Sequence, residues 1–196
     1  GERFSYGLST NVIGALIEKI SGLSLDAYLF KNIFEPLGMK DTYFYLPKNK
    51  QDRLVKLYAK NTDTSLALVP PALFNADYPL QKNSKYFSAI GGLVSTTYDY
   101  AKFLSCLLDR GELSNGSQLL SKSMIDSLTT NQLGAKTFIF GGFPSLNTFG
   151  LGVGLTSAKG QVVNNASEGS YFWGGAFNTA YMVDPKRKLI TLFFMQ

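Results

Sequence analysis

The period of the apolar residues changes along the chain, and this change constrains the fold more than any other feature of the sequence. In the first part they recur every three or four positions, as on one face of a helix, at Val12, Ile13, Leu16, Ile17 and Ile20. In the last third, residues 149–155 alternate apolar side chains with glycines, which is the two-residue period of a strand. The sequence therefore predicts a helical first half and a β-rich last third.

Capping residues and helix breakers predict where the helices begin and end. Four helices are expected, from Ser9 or Thr10 to Gly22, from Ser24 to before Pro36, from Thr96 to Gly111, and from Ser121 to about Leu128. Between residues 38 and 92 no period persists. The Pro70-Pro71 pair and the polar stretch 81–85 predict a long excursion over the surface there.

The last third is predicted to contain strands. Residues 149–155 are expected to form one strand whose glycine face lets another backbone or a helix approach closely. Residues 176–183 and 189–195 are β-rich and flank an Asp184-Pro185 turn, which predicts a terminal antiparallel hairpin. The basic run at 186–188 follows that turn and is interpreted as solvated surface.

The composition excludes several kinds of chemistry. The chain has no histidine and one cysteine, so it cannot hold a Ser-His-Asp or Cys-His triad, a histidine metal centre or an internal disulfide. Any acid–base chemistry must use Tyr, Lys or a carboxylate, and no metal or cofactor is expected. The basic residues that give the net charge of +5 are scattered, so no nucleic-acid partner is expected. No apolar run approaches a membrane span, and Cys106 is predicted to be a buried thiol.

Two short segments attract attention, although each has an ordinary structural interpretation. In residues 4–14, Tyr6 lies just before a predicted helix, where a tyrosine often packs on the first turn. In residues 171–176, the only tryptophan, Trp173, is followed by two glycines before a predicted strand, which is also typical of a turn with a packed indole. Taken singly, neither segment decides between structure and function.

Five strings in order along the chain resemble the serine β-lactamase-like family, which contains class C β-lactamases, D-Ala-D-Ala carboxypeptidases and β-lactamase-fold esterases. They are Phe-Ser-Tyr-Gly-Leu-Ser-Thr-Asn-Val-Ile-Gly from residue 4, Ile-Phe-Glu-Pro-Leu-Gly-Met-Lys-Asp-Thr from residue 33, Gly-Gly-Leu-Val-Ser-Thr-Thr-Tyr-Asp-Tyr-Ala-Lys-Phe from residue 91, Phe-Gly-Leu-Gly from residue 149, and Trp-Gly-Gly from residue 173 with Asp-Pro behind it. The resemblance covers essentially the whole chain.

The resemblance implies a catalytic arrangement that needs no histidine. In that family the serine of a Ser-x-x-Lys turn is acylated, a tyrosine moves the proton, and two backbone N–H groups form the oxyanion hole. Carried over, Tyr6 is the general-base candidate, and the Ala176 N–H is the second oxyanion donor. Leu8, Trp173, Gly174, Gly175 and Phe177 are the substrate-binding candidates. The aromatic residues Phe172, Trp173, Phe177 and Tyr181 are expected to line an acyl pocket.

Three departures from the family pattern refine this expectation. Leu8 replaces an asparagine that contacts the substrate amide, and Trp173 replaces a lysine that meets a substrate carboxylate, so an ester substrate is favoured over a β-lactam. The only Ser/Thr-x-x-Lys pattern, Thr156 to Lys159, lies at the end of the glycine-rich run rather than at a helix start. The nucleophile is therefore expected upstream of Gly1, and the chain alone is expected to be inactive.

The resemblance also implies the architecture. It is an α/β (α+β) fold of the β-lactamase and transpeptidase type, with an antiparallel sheet flanked by helices and a helical lobe, here lacking its N-terminal part. Residues 1–135 are predicted to form the helical lobe with the Tyr motif, and residues 145–196 to supply sheet strands with the Trp-Gly-Gly motif. The predicted function is acyl-enzyme hydrolysis of a small-molecule ester or amide. The alternatives are a penicillin-recognising peptidase or β-lactamase, and a non-catalytic binding homologue; compartment and oligomeric state are left open.

Overall fold

The computed structural model describes residues 2–70, 77–81, 84–140 and 143–195, and these are organised as two units. The sheet unit comprises Gly1–Gly7, Tyr100–Gly174 and Ala180–Phe193, and the helical unit comprises Leu8–Asp99, Gly175–Thr179 and Phe194–Gln196. Both units use discontinuous stretches of the chain. The predicted division into a helical lobe at residues 1–135 and sheet strands at residues 145–196 stays a prediction. The two compact units each combine several stretches of chain, whereas the predicted lobes are continuous in sequence.

The sheet unit is built on a five-stranded sheet, in which the strands lie side by side in the same order as along the chain. Its strands are β5 (Thr148–Phe149), β6 (Gly154–Leu155), β7 (Tyr171–Gly174), β8 (Thr179–Asp184) and β9 (Leu189–Phe194). From β5 to β8 neighbouring strands are antiparallel, with Tyr171 opposite Val183 and Trp173 opposite Tyr181. The β8–β9 pair around the Asp184-Pro185 turn confirms the predicted terminal hairpin.

The prediction of one strand over residues 149–155 is wrong. The chain reverses there, because Gly150 donates its N–H to the Val153 carbonyl at 2.8 Å and Gly152 adopts a φ of +82° that glycine tolerates best. The predicted close approach at a bare glycine is confirmed. A Cβ on Gly150 would lie 2.1 Å from the Leu128 carbonyl oxygen, so only glycine lets these two backbones meet.

Two helices cover one face of this sheet. They are α3 (Thr97–Leu108) and α4 (Lys122–Leu128). The predicted Thr96 cap and the predicted helix start at Ser121 are confirmed: Thr96 Oγ1 accepts the Asp99 N–H and Ser121 Oγ accepts the Met124 N–H. Their apolar faces meet the sheet in one buried cluster, formed by Leu104, Leu107, Ile125, Val153, Leu155, Tyr171 and Val183. Cys106 is buried, as predicted.

Shorter elements complete the sheet unit. They are the two-stranded hairpin of β3 (Ile139–Phe140) and β4 (Phe143–Pro144), and the short helix α5 (Gln161–Asn164). The basic run 186–188 is exposed beside the β8–β9 turn, where Asp184 accepts the Arg187 N–H at 3.1 Å. That placement agrees with the solvated interpretation.

The helical unit begins with α1 (Ser9–Ser21) and α2 (Leu25–Leu29), and α2 continues as a wider helical turn through Phe30–Phe34. The predicted ends at Gly22 and before Pro36 are confirmed. The predicted Ser9 or Thr10 cap is wrong, since Leu8 occupies the N-cap position and its carbonyl accepts the Asn11 N–H.

The helix α1 packs through polar and small residues rather than through its apolar stripe. The Asn11 side chain accepts the Ala89 N–H, Gly14 lies against Leu25 and Ala89, and Glu18 accepts the Leu25 N–H. The apolar residues Val12, Ile13, Leu16 and Ile20 are 55–77% exposed.

The rest of the helical unit is mostly irregular, as the lack of a period predicts. It contains the 3₁₀ helices Lys48–Arg53 and Tyr78–Leu80 and the hairpin of β1 (Tyr58–Lys60) and β2 (Leu66–Leu68). Buried Asp99 anchors the segment after α2 by accepting the Asp41 N–H and the Thr42 hydroxyl. Of the predicted excursion, residues 71–76, 82 and 83 lie outside the described residues. Across the described ranges, the helices are all too short or too polar for a membrane crossing.

Candidate active site

Tyr6 lies against Trp173 in the sheet unit. Their ring centroids are 5.4 Å apart with planes tilted by 46°, and Phe140 meets Tyr6 edge-on at 5.3 Å. These separations are typical of attractive aromatic pairs. Two candidates that are far apart in the sequence are therefore brought together.

Trp173 is the hub of this aromatic cluster. It is the third residue of β7, on the same face as the core residue Tyr171, because side chains alternate along a strand. Its ring lies 5.1 Å from both Phe140 and Phe149 and 6.1 Å from Phe138. The indole is half-buried at the edge of the core.

The aromatic partners of Trp173 were not predicted from the sequence. Phe4, Phe138, Phe140 and Phe149 join the cluster, and Phe138 and Phe149 are buried while Phe140 is 51% exposed. Phe138 and Phe140 are two residues apart, which is the spacing of one strand face, and this signal was available in the sequence.

The Tyr6 side chain presents its hydroxyl without a competing partner. The residue is 50% exposed, and among the described residues no side chain or backbone group hydrogen-bonds to its hydroxyl. A phenol in this state is available to a bound molecule. The aromatic cluster holds the ring while leaving the oxygen free.

The chain after Trp173 forms a tight turn, not the strand predicted to begin at Ala176. Gly174 pairs with Ala180, and Gly175 donates its N–H to the Thr179 carbonyl at 2.8 Å, so β8 begins only at Thr179. A Cβ on Gly175 would meet Thr179 Oγ1, so a larger residue there would require the Thr179 side chain to move. Asn178 completes the turn at a φ of +57°.

The remaining candidates belong to the helical unit. Ala176 and Phe177 are exposed residues of the 175–178 turn, and within the described ranges the Ala176 N–H has no acceptor. Leu8 is exposed immediately before α1. Tyr6, Trp173 and Gly174 belong to the sheet unit, and within that unit the structure brings Tyr6 and Trp173 together.

Two residues expected to line an acyl pocket have other contacts. The Phe172 ring covers Gly154 on the face of β7 opposite to Trp173. The Tyr181 ring packs 5.5 Å from Tyr100 at the core, where burial raises the pKa of its hydroxyl. In the sheet unit, Tyr181 is the cross-strand neighbour of Trp173 on β8, and the Phe140 ring packs against the indole at 5.1 Å.

The Thr156–Lys159 pattern is structural. Thr156 is buried and its Oγ1 accepts a hydrogen bond from the Asn164 side chain, while Ser157 Oγ donates to the Leu146 carbonyl. Both hydroxyls are used to hold the turn before α5. In the described ranges, no group of three or more potential metal ligands occurs.

Comparison with known proteins identifies the family. A model of the beta-lactamase family matches residues 1–196. The monacolin J acid methylbutanoyltransferase of Aspergillus terreus is 29% identical over 212 residues, covering 100% of this chain and 49% of the relative. The lovastatin esterase of Penicillium rubens is 25% identical over 205 residues, covering 96% of this chain and 49% of the relative.

A solved structure agrees with these relatives. Unliganded simvastatin synthase from Aspergillus terreus superposes with a TM-score of 0.78 at 25% identity, covering 98% of this chain and 50% of that one. The chain thus spans about half the length of the relatives it matches, and the resemblance predicted from its five strings is confirmed. The chain belongs to the beta-lactamase family, and its sheet and helices form part of the β-lactamase and transpeptidase fold.

Proposed function

We propose that this chain supplies the proton-transfer tyrosine and an aromatic substrate wall to a serine hydrolase or acyltransferase that acts on carboxylic esters. The observation that carries the proposal is the Tyr6–Trp173–Phe140 group, in which the rings are packed and the tyrosine hydroxyl is free. The printed names of two relatives, a methylbutanoyltransferase and an esterase, support ester chemistry.

Tyr6 acts as the general base in this proposal. It takes the proton of the attacking serine and returns it to the leaving alcohol, a role that requires an accessible hydroxyl held in place. The rings of Trp173 and Phe140 fix the phenol on two sides. The serine and its lysine come from a Ser-x-x-Lys segment upstream of residue 1, and Tyr6 relays the proton between them.

The Ala176 N–H serves as one oxyanion donor. A donor of this kind must be unbonded in the resting protein so that it can meet the developing negative charge, and Ala176 is exposed without an acceptor among the described residues. Gly174 and Gly175 allow substrate to approach the backbone beside it, while Leu8 and Phe177 add apolar surface.

Trp173 favours uncharged acyl groups. It presents an apolar ring where β-lactam-recognising relatives carry an ammonium group, and a carboxylate placed there gains no ion pair. The substrate class is therefore a neutral ester with an apolar acyl or alcohol part. The lack of an ion pair for a substrate carboxylate disfavours the penicillin-recognising alternative.

The experiment is Trp173→Lys in the polypeptide that joins residues 1–196 to the upstream Ser-x-x-Lys segment, with Trp173→Phe as the matched control. The lysine restores a charge-assisted partner worth about 1.5–3 kcal/mol, so the ratio of penicillin to ester acylation should rise roughly 10- to 150-fold. Trp173→Phe should leave that ratio near the wild-type value. An unchanged ratio in a folded Trp173→Lys protein contradicts the ester assignment, and a wild type that never acylates supports the non-catalytic alternative.

A further inference from the structure

A cavity lies within the helical unit. It has a volume of about 260 Å³, close to the lower end of the 300–1,000 Å³ range of small-molecule sites. Six aromatic residues line it, namely Phe30, Phe34, Tyr43, Phe44, Tyr45 and Phe87. None of them belongs to the Tyr6 cluster.

One acidic residue, Asp26, also lines this cavity. Its Oδ1 is buried and has no hydrogen-bond partner, and in the described part of the chain its carboxylate forms no ion pair. A buried carboxylate oxygen without a donor is unfavourable, because it has lost water and gained nothing in exchange. A cationic ligand would restore that interaction.

The aromatic lining is suited to the same kind of ligand. The faces of aromatic rings attract cations, and a group of several rings is the usual site for alkylammonium ions. The protein already uses this interaction once at the cavity, since Lys50 Nζ lies 5.0 Å from the centroid of the Tyr43 ring. That ammonium is held by Asp41 at 2.6 Å, so Asp26 is the carboxylate at the cavity left without a cation.

We propose that this cavity, which we call the Asp26 cavity, binds a small organic cation with an alkylammonium head. Asp26 supplies the negative charge, and the exposed Phe30 ring with its aromatic neighbours supplies the faces on which the cation rests. The Asp41, Lys50 and Arg53 group carries one excess positive charge beside Tyr43, so a singly charged cation is favoured over a multiply charged one.

The test uses choline as the probe and 3,3-dimethylbutan-1-ol as its neutral counterpart of the same shape. Titrations of the 196-residue chain at constant chloride concentration are followed by amide chemical shifts and by calorimetry. Choline should saturate with shifts centred on the cavity residues, and the neutral alcohol should bind at least about tenfold more weakly. Sodium chloride at the same concentration should not reproduce the shifts.

Two variants with a matched control separate the contributions. Asp26→Asn keeps the shape and removes the charge, and should weaken choline binding about tenfold, while Asp52→Asn removes an exposed carboxylate outside the cavity and should not. Phe30→Leu keeps an apolar side chain without an aromatic face and should weaken choline but not the neutral alcohol. Equal affinity for the two probes, or unchanged choline binding in both Asp26→Asn and Phe30→Leu, overturns the proposal. None of these measurements depends on acyl transfer.

Discussion

Removal of the Trp173 ring should destabilise the sheet unit by a predictable amount. Replacement of a buried tryptophan by alanine costs about 3–5 kcal/mol, and the half-buried position of this ring reduces the expected loss in the free energy of unfolding to about 2–3 kcal/mol. The four ring partners at 5.1–6.1 Å account for part of that loss. Trp173→Phe keeps a ring on the same face and should cost less than about 1.5 kcal/mol.

The measurement is urea denaturation followed by far-ultraviolet circular dichroism. Because Trp173 is the only tryptophan, its fluorescence in the wild type also reports the cluster directly. A double-mutant cycle of Trp173→Ala with Tyr6→Ala isolates the pair, and the coupling should be about 0.5–1.5 kcal/mol.

Two results would refute this reasoning. A loss below about 0.5 kcal/mol for Trp173→Ala, which is typical of a surface substitution, means that the indole is not packed as described. Strict additivity in the cycle means that the Tyr6 and Trp173 rings do not touch, and the positioning argument for Tyr6 then fails.

Two further predictions concern stability. The hydrogen bonds from Arg53 and Lys50 lower the pKa of Asp41 from 3.8 to about 2, so the stability that ionised Asp41 contributes is present above pH 4 and is lost as the pH falls toward 2. The difference in Tm between the wild type and Asp41→Asn should therefore disappear over that window. The control Glu35→Gln, at an exposed carboxylate, should show no such difference at any pH. Gly150→Ala places a Cβ against the Leu128 carbonyl and should lower the free energy of unfolding by about 1–3 kcal/mol. The control Gly7→Ala, with open space around the new Cβ, should lower it by less than about 1 kcal/mol. Equal effects of the two substitutions would mean that the Gly150 contact is absent.

The sequence predicted the helices well because their boundaries are set locally. The Thr96 cap, the helix start at Ser121 and the Gly22 end depend on hydrogen bonds within one turn, and all three positions were predicted. The 149–155 run was misassigned because alternating glycine and apolar residues fit both a strand and a tight turn. The Gly150 N–H to Val153 carbonyl bond decides between them, and no local pattern reveals it.

The direction in which α1 faces could not be predicted from periodicity. The apolar period predicted its helical character and an apolar face, and in the structure Asn11, Gly14 and Glu18 make the contacts instead of that face. Those contacts depend on Ala89, far along the chain, and on Leu25 at the start of α2.

Only part of the candidate site was predicted from the sequence, because the rest depends on contacts between distant parts of the chain. The family strings identify Tyr6 and Trp173, and the structure brings them together. The ring of Phe140, which completes the group, comes from a short hairpin with no family string. The two-residue spacing of Phe138 and Phe140 indicates a shared strand face, but the contact of Phe140 with Trp173 depends on tertiary packing that no local pattern specifies.

The most direct test of the account is the acylation rate of Tyr6→Phe. In the polypeptide that carries residues 1–196 with the upstream Ser-x-x-Lys segment, stopped-flow acylation by a chromogenic short-chain ester gives this rate. The variant loses one oxygen from a half-exposed ring, so the free energy of unfolding should stay within about 0.5 kcal/mol of the wild type. The acylation rate should fall roughly 10²–10⁴-fold, as for loss of a general base. A folded Tyr6→Phe protein that acylates at nearly the wild-type rate would contradict the assignment of the proton transfer to Tyr6.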